Sequence, residues 1–174
     1  SVDAPVRRCG NDRPRNFSAA RRREPGGKYA FFAWDSEHIL SETTVDRTEL
    51  GVADADDTPA RLYARMRQNP EFRVRFGDRV QRHFFGAGVL TPEANVSRWM
   101  DNASRIDRAV VGESARWGDY RRSSPYTRNA EWLTEQRRLV NTFFPARSNV
   151  VLAQFKADGL YLNLPAPAFC QNGG

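Results

Sequence analysis

Phe17-Ser-Ala-Ala-Arg-Arg-Arg23, then Glu24-Pro25-Gly26-Gly27, then Lys28-Tyr-Ala-Phe-Phe-Ala-Trp34: this stretch sets the frame for the whole chain. Glu-Pro-Gly-Gly is strong turn chemistry, because Pro presets φ and Gly reaches positive φ without strain. The aromatic-rich segment 28–34 reads as a strand, and 17–23 reads as a short strand before the turn. Together they predict a β-hairpin. Upstream, residues 1–16 read as loop, punctuated by Pro5, Gly10 and Pro14. Downstream, residues 35–57 lack periodicity and read as a long acidic loop.

Beyond that loop the pattern turns helical. Thr58-Pro59 predicts a helix start, with Leu62 and Met66 on its inner face. Asn69-Pro70 restarts a helix, and Phe72, Phe76, Val80 and Phe84 recur every four residues as one apolar stripe. Gly86 and Gly88 stop it. Thr91-Pro92 opens the next helix, with Val96, Trp99, Ala103, Ile106 and Val110 on one face. Residues 117–127 read as a polar, aromatic loop. Asn129 to Phe144 reads as another helix, interrupted by Pro145 and followed by one carrying Val151, Leu152 and Phe155. Asp158-Gly159 ends it, and residues 160–174 read as extended. The expected fold is α+β and mostly helical: one hairpin followed by a helical lobe.

The 174 residues are 40% hydrophobic and include 11 Phe, 4 Trp and 5 Tyr, which supports one packed domain and excludes a fully disordered chain. No apolar run approaches the roughly 18 residues that a membrane helix needs. The N-terminus has no apolar core of a secretory signal. The chain starts without Met and ends in Gln-Asn-Gly-Gly, so a piece of a longer protein is expected. Cys9 and Cys170 make neither a disulfide framework nor a zinc site, although they could pair in an oxidising compartment. With His38 and His83 the only histidines, a His-cluster metal site is excluded. A Ser/His/Asp triad is excluded too, unless one of these two serves it.

The formal net charge is +6, and every basic residue except Lys28 and Lys156 is Arg. Residues 1–34 carry 8 basic and 3 acidic side chains, whereas residues 35–57 carry 1 basic and 8 acidic. Arg suits bidentate contact with carboxylate or phosphate, yet it is also an ordinary solvated helix-face residue. Nucleic-acid binding through the Arg-rich face would show affinity falling steeply with salt. The acidic stretch beside the basic one argues against that partner.

One constellation could carry chemistry. The loop Cys9-Gly-Asn-Asp12-Arg-Pro-Arg-Asn16 holds an Asp and an Asn four residues apart, and Trp34-Asp35-Ser36-Glu37 follows the second strand. A hairpin returns the chain to its starting edge, which would bring Asp12, Asn16 and Asp35 near one another. Phosphoryl transfer needs this inventory. A hard divalent cation takes a carboxylate and an amide carbonyl, and a second carboxylate orients the attacking hydroxyl. Asp12 and Asn16 could equally be turn formers bonding their own backbone, and Asp35 a helix cap or surface acid. Trp34 is expected in the core beneath the loop. Arg21 to Arg23 are expected on a solvated face, and His83 in a structural role. His38 reads as a partner for a loop acid. Arg116-Trp117-Gly118-Asp119-Tyr120 either lines a cleft or caps a helix.

The two segments GND-RP-RN-F and AARRR-PGGKYAFFAWDSE resemble the core of the CotH kinase family, bacterial atypical protein kinases similar to spore coat protein H. The loop departs from the family pattern: it is a residue shorter, with Arg13 in place of Trp and Phe17 in place of a second Asn. Similarity continues through Arg61-Leu-Tyr, Pro70 to Arg79, Arg116 to Asp119, Trp132 to Arg138 and Ala166 to Phe169, so it covers nearly the whole chain. The resemblance implies the C-terminal portion of a kinase domain over residues 1–164, and a tail over 165–174 leading toward a following module. It implies a fold like the C-lobe of protein kinases, with ATP and Mg²⁺ or Mn²⁺ as cofactors and a coat or surface protein as phosphoacceptor. By it, Asp12 is the catalytic loop Asp, Asn16 and Asp35 hold metal and nucleotide, and Glu37 is a further metal ligand. It also implies a secreted or cell-surface setting. This portion alone is expected to be inactive. The alternative expectation is a non-catalytic helical scaffold module of a bacterial surface or coat protein.

Overall fold

The computed structural model describes residues 17–34, 36–46, 48 and 59–162. The chain is α+β and mostly helical, with one two-stranded antiparallel sheet. Strand β1 (Phe17–Arg21) pairs with β2 (Tyr29–Ala33), in the register Phe17↔Ala33 to Arg21↔Tyr29. The turn between them follows from its sequence. Pro25 takes the second position and Gly26 the third, where φ is +77°, and the Gly27 amide donates to the Glu24 carbonyl at 3.0 Å. That is type II turn geometry, which a side chain at position 26 would strain.

Opposed residues share a face of a sheet. Phe17, Ala19, Arg21, Tyr29, Phe31 and Ala33 therefore lie on one face; Ser18, Ala20, Ala30 and Phe32 lie on the other. Tyr29 and Phe31 sit 6.3 Å apart, and Arg21 lies over the Tyr29 ring at 5.5 Å. Both faces are open to solvent, and the substantial contacts of each strand are with the other strand.

After the hairpin comes one 3₁₀ turn, Glu37–Leu40, and then the helical lobe: α1 (Pro59–Met66), α2 (Pro70–Phe84), α3 (Pro92–Trp117) and a last helical run from Arg128 to Ala157. The starts of α2 and α3 are written locally. The Asn69 Oδ1 accepts from the Glu71 amide at 2.8 Å, and the Thr91 Oγ1 accepts from the Ala94 amide at 3.3 Å. Each cap is followed by a Pro whose missing N–H costs nothing in the first turn.

The α2 stripe is an aromatic seam, as its spacing predicts. Phe72 and Phe76 meet Tyr63 of α1, and Phe76 and Phe84 meet Phe155 near the chain's end, with centroids 5.0–6.2 Å apart. The expected inner face of α1 is corrected: Leu62 and Met66 are exposed, and Tyr63 makes the contact. The Asn69-Pro70 break folds α2 back on the tyrosine side, leaving Leu62 and Met66 outside.

The last run is also corrected. Pro145 does not divide it into two helices. It is continuous, through a π-helical turn (Arg128–Trp132), α4 (Leu133–Arg138), a second π-helical turn (Leu139–Phe143) and α5 (Phe144–Ala157). The second π turn stands immediately before Pro145. A widened ladder absorbs a residue that cannot donate and whose ring would crowd a tight turn.

The core lies here: Leu139, Phe143 and Phe144 are buried, with Val96, Trp99 and Leu40 packed against them. Leu40 is the last residue of the 3₁₀ turn. The loop after the hairpin is thus rooted in the helical core. Asp158 closes α5, and Gly159 follows with a φ of +66°, as the Asp-Gly pair predicts.

Candidate functional site

The residues expected to carry chemistry are Asp12, Asn16, Asp35 and Glu37. Asp12, Asn16 and Asp35 lie outside the described residues. Of Glu37 the structure fixes the backbone, as the first residue of the 3₁₀ turn. Cys9, Cys170 and the tail 165–174 also lie outside the described residues. Among the described residues, no group of three or more His, Cys, Asp or Glu converges, and no helix is long and apolar enough to cross a membrane.

The structure does define what holds the flanks of this region. Phe17, which follows Asn16 in sequence, pairs with Ala33, which precedes Asp35 by two residues. The hairpin therefore starts and ends at the same edge. Trp34 at that edge is a correction: it is 73% exposed rather than buried in a core. Among the described residues, no helix packs substantially against the hairpin to cover it. Arg21, Arg22 and Arg23 are solvated, as expected, with Arg22 at 3.9 Å from Glu24.

Downstream, residues 40–45 are strapped to the helical lobe through their backbone carbonyls. Arg138 donates to the Leu40 carbonyl at 2.6 Å and to the Ser41 carbonyl at 3.3 Å. Arg147 donates to the Thr43 and Val45 carbonyls at 2.6 and 2.8 Å. Gln154 donates to the Thr44 carbonyl at 3.3 Å. Five of the six carbonyls of residues 40–45 thereby find charged or amide donors. The sequence contains no signal for this strap. Arg138, Arg147 and Gln154 are about a hundred residues from their acceptors, and a carbonyl carries no residue identity.

Arg138 is itself oriented by Glu135, whose carboxylate it meets at 2.6 and 2.8 Å. That hydrogen bond holds the Glu135 carboxyl below its ordinary range and raises the Arg138 guanidinium above its own. The strap also walls a cavity of about 420 Å³, lined by Leu40, Trp99, Ile106, Trp132, Gln136 and their neighbours. The Trp99 Nε1 donates to the Gln136 Oε1 across it at 2.7 Å. Arg128 fixes the other side of this lobe with a bidentate grip on Asp107 of α3, at 2.6 and 2.7 Å.

The remaining sequence candidates separate cleanly. His83 is half-buried at the end of α2, where its backbone carbonyl accepts the Leu90 amide at 2.8 Å. Trp117 ends α3 with Gly118 as its cap, while both Trp117 and Tyr120 stay exposed.

Comparison of the chain with protein-family models, with curated proteins and with solved structures finds no match.

Proposed function

We propose that this chain is the C-terminal part of a CotH-like atypical kinase domain, one that transfers the γ-phosphoryl group of ATP to a protein Ser or Thr hydroxyl. The observation that carries the reading is the hairpin register. With Phe17 opposite Ala33, the segment ending in Asn16 and the segment beginning at Asp35 join the same edge of one hairpin. Two carboxylates and an amide, ordered Asp, Asn, hairpin, Asp, form a hard-oxygen donor set suited to Mg²⁺ or Mn²⁺. The metal would neutralise charge on the phosphates.

In this reading Asp12 orients the substrate hydroxyl and takes its proton. Asn16 and Asp35 hold the metal–nucleotide complex, and Glu37 adds a ligand from the start of the 3₁₀ turn. Arg138 and Arg147 fix the loop that leaves Asp35. The similarity of the two quoted segments to that family supports the same assignment.

A second reading has its own observation. Tyr29, Phe31, Phe32 and Trp34 are all exposed, on a hairpin with apolar residues on both faces. Such a surface suits a helical scaffold module that docks a partner through the hairpin.

Nucleotide-binding calorimetry on the whole protein, with and without Mg²⁺ or Mn²⁺, separates the two. The kinase reading expects metal-dependent ATP binding that Asp35→Asn abolishes, and phosphoryl transfer by the whole protein that Asp12→Asn abolishes. Metal-dependent binding that survives Asp35→Asn would remove the proposed ligand role. Absence of nucleotide binding with any metal would leave the scaffold reading.

A further inference from the structure

The end of α3 and the loop after it form a braced aromatic corner. The Tyr126 amide donates to the Gly118 carbonyl at 2.9 Å, and the Tyr120 amide to the Trp117 carbonyl at 3.0 Å. Gly118 is buried in this crossing: a Cβ there would stand 2.5 Å from the Ser114 carbonyl oxygen and 2.6 Å from that of Tyr126. Arg122 pairs with Glu131 and donates to the Pro125 carbonyl, and Glu131 also accepts the Thr127 amide at 2.7 Å. Arg122, Thr127 and Glu131 thus hold the shape of the loop.

What faces outward is different. A cavity of about 480 Å³ is lined by Glu113, Trp117, Tyr120, Arg121 and Tyr126. Glu113 and Trp117 are one helical turn apart and so share a face of α3. Trp117, Tyr120 and Tyr126 are 51%, 75% and 51% exposed. They surround space instead of filling it.

These rings already attract cations. The Arg116 guanidinium lies 5.0 Å from the Trp117 centroid, and that of Arg122 lies 3.9 Å from the Tyr126 centroid. Neither Arg116 nor Arg122 lines the cavity. Two charges complete the lining, one of each sign. Among the described residues, neither the Glu113 carboxylate nor the Arg121 guanidinium has a hydrogen-bond or ion-pair partner.

We propose that this corner binds a small zwitterion that joins a quaternary or methylated ammonium to an anionic group, the chemistry of phosphocholine. A methylated ammonium carries no N–H donors and presents a broad, weakly hydrated positive surface, which suits aromatic walls. Glu113 supplies the opposite charge beside it. A primary ammonium would need three acceptors, and the lining offers one carboxylate. Arg121 takes the anionic end, for which a guanidinium fork is matched to phosphate. The site is independent of the proposed kinase chemistry and shares no residue with it.

The test uses the full chain and three probes: phosphocholine, choline chloride and inorganic phosphate, followed by calorimetry and tryptophan fluorescence. Saturable phosphocholine binding is expected, with choline weaker and phosphate alone weaker still. Trp117→Ala should weaken phosphocholine at least about fivefold. Glu113→Gln should weaken both phosphocholine and choline. Arg121→Gln should weaken phosphocholine and leave choline unchanged, a split that loss of folding would not produce. The source of the headgroup is read with vesicles. Binding to dioleoylphosphatidylcholine but not dioleoylphosphatidylglycerol, competed by soluble phosphocholine, assigns a lipid surface; soluble binding without vesicle binding assigns a free headgroup. No saturable phosphocholine binding up to about 10 mM overturns the proposal. So does inorganic phosphate binding as well as phosphocholine, or binding that Trp117→Ala leaves unchanged.

Discussion

Glu131 shows how one side chain can carry a loop. Its carboxyl is pulled down to about 2, first by the Thr127 amide; desolvation pushes the other way, and the Arg122 hydrogen bond and charge add to the lowering. A carboxyl depressed in the folded state contributes stability that is complete above its unfolded pKa, about 4.3, and disappears as pH falls toward the folded value. Glu135 is shifted the same way by Arg138, so both groups act in the same acid window. Thermal melts followed by circular dichroism should therefore be steady near neutrality and fall between about pH 4.5 and pH 2. Glu131→Gln should flatten part of that fall. An unchanged acid slope would mean that the carboxylate is not the group being titrated. Gly118 offers a second test at this scale. Both oxygens that a Cβ would meet belong to the backbone, so they cannot swing aside. Gly118→Ala should cost about 1–3 kcal/mol in denaturant unfolding, with α3 itself intact.

The element most exposed to mutation is the strap over residues 40–45, held by side chains and not by a ladder. Charge-assisted hydrogen bonds of this kind contribute about 1.5–3 kcal/mol each when both partners are in place. The double variant Arg138→Gln/Arg147→Gln should raise amide exchange across residues 37–46 and leave α5 as protected as before. Equal protection of the strap in both proteins would contradict its description as tied down by these two arginines. The strap also marks the limit of what the sequence discloses. The turn at Glu24–Gly27, the caps Asn69-Pro70 and Thr91-Pro92, and the Phe72/Phe76/Val80/Phe84 stripe are legible because each signal and its consequence lie within a few residues. The face of α1 is not legible, because Leu62 or Tyr63 could point inward until the direction of α2 is known. Pro145 misleads for a related reason: its cost is absorbed by a π turn that no residue pattern announces. The candidate site divides along the same line. Asp12, Asn16 and Asp35 stand out as a pattern in the sequence. The aromatic corner is legible in part: residues 116–120 read as either a cleft lining or a helix cap, whereas Glu113 and Tyr126 join one cavity lining only through the fold of the chain around Gly118.

At the scale of the whole molecule, the described residues show no substantial packing between the hairpin and the helical lobe. A two-stranded hairpin is at best marginally stable alone in water, and here both its faces are exposed. The lobe, in contrast, buries Leu139 and Phe143 to 2% exposure and ties α3 to the last helical run through Trp99, Phe144 and the Arg128–Asp107 pair. Two substitutions of similar chemistry should then behave very differently. Phe143→Ala removes a buried ring from the centre of the lobe and should cost about 3–5 kcal/mol, a large share of the roughly 5–15 kcal/mol available to a domain. Phe32→Ser removes an exposed ring from the hairpin and should leave unfolding of the helices within about 0.5 kcal/mol of the parent. Denaturant titration followed at a helical circular-dichroism wavelength reads both. If Phe32→Ser shifted the helical transition as far as Phe143→Ala, hairpin and lobe would be one cooperative unit. Its aromatic faces would then be supporting the helices. If only Phe143→Ala shifts it, those four exposed aromatics contribute little to the chain's own stability, which leaves them available for a partner surface or for the remainder of the domain.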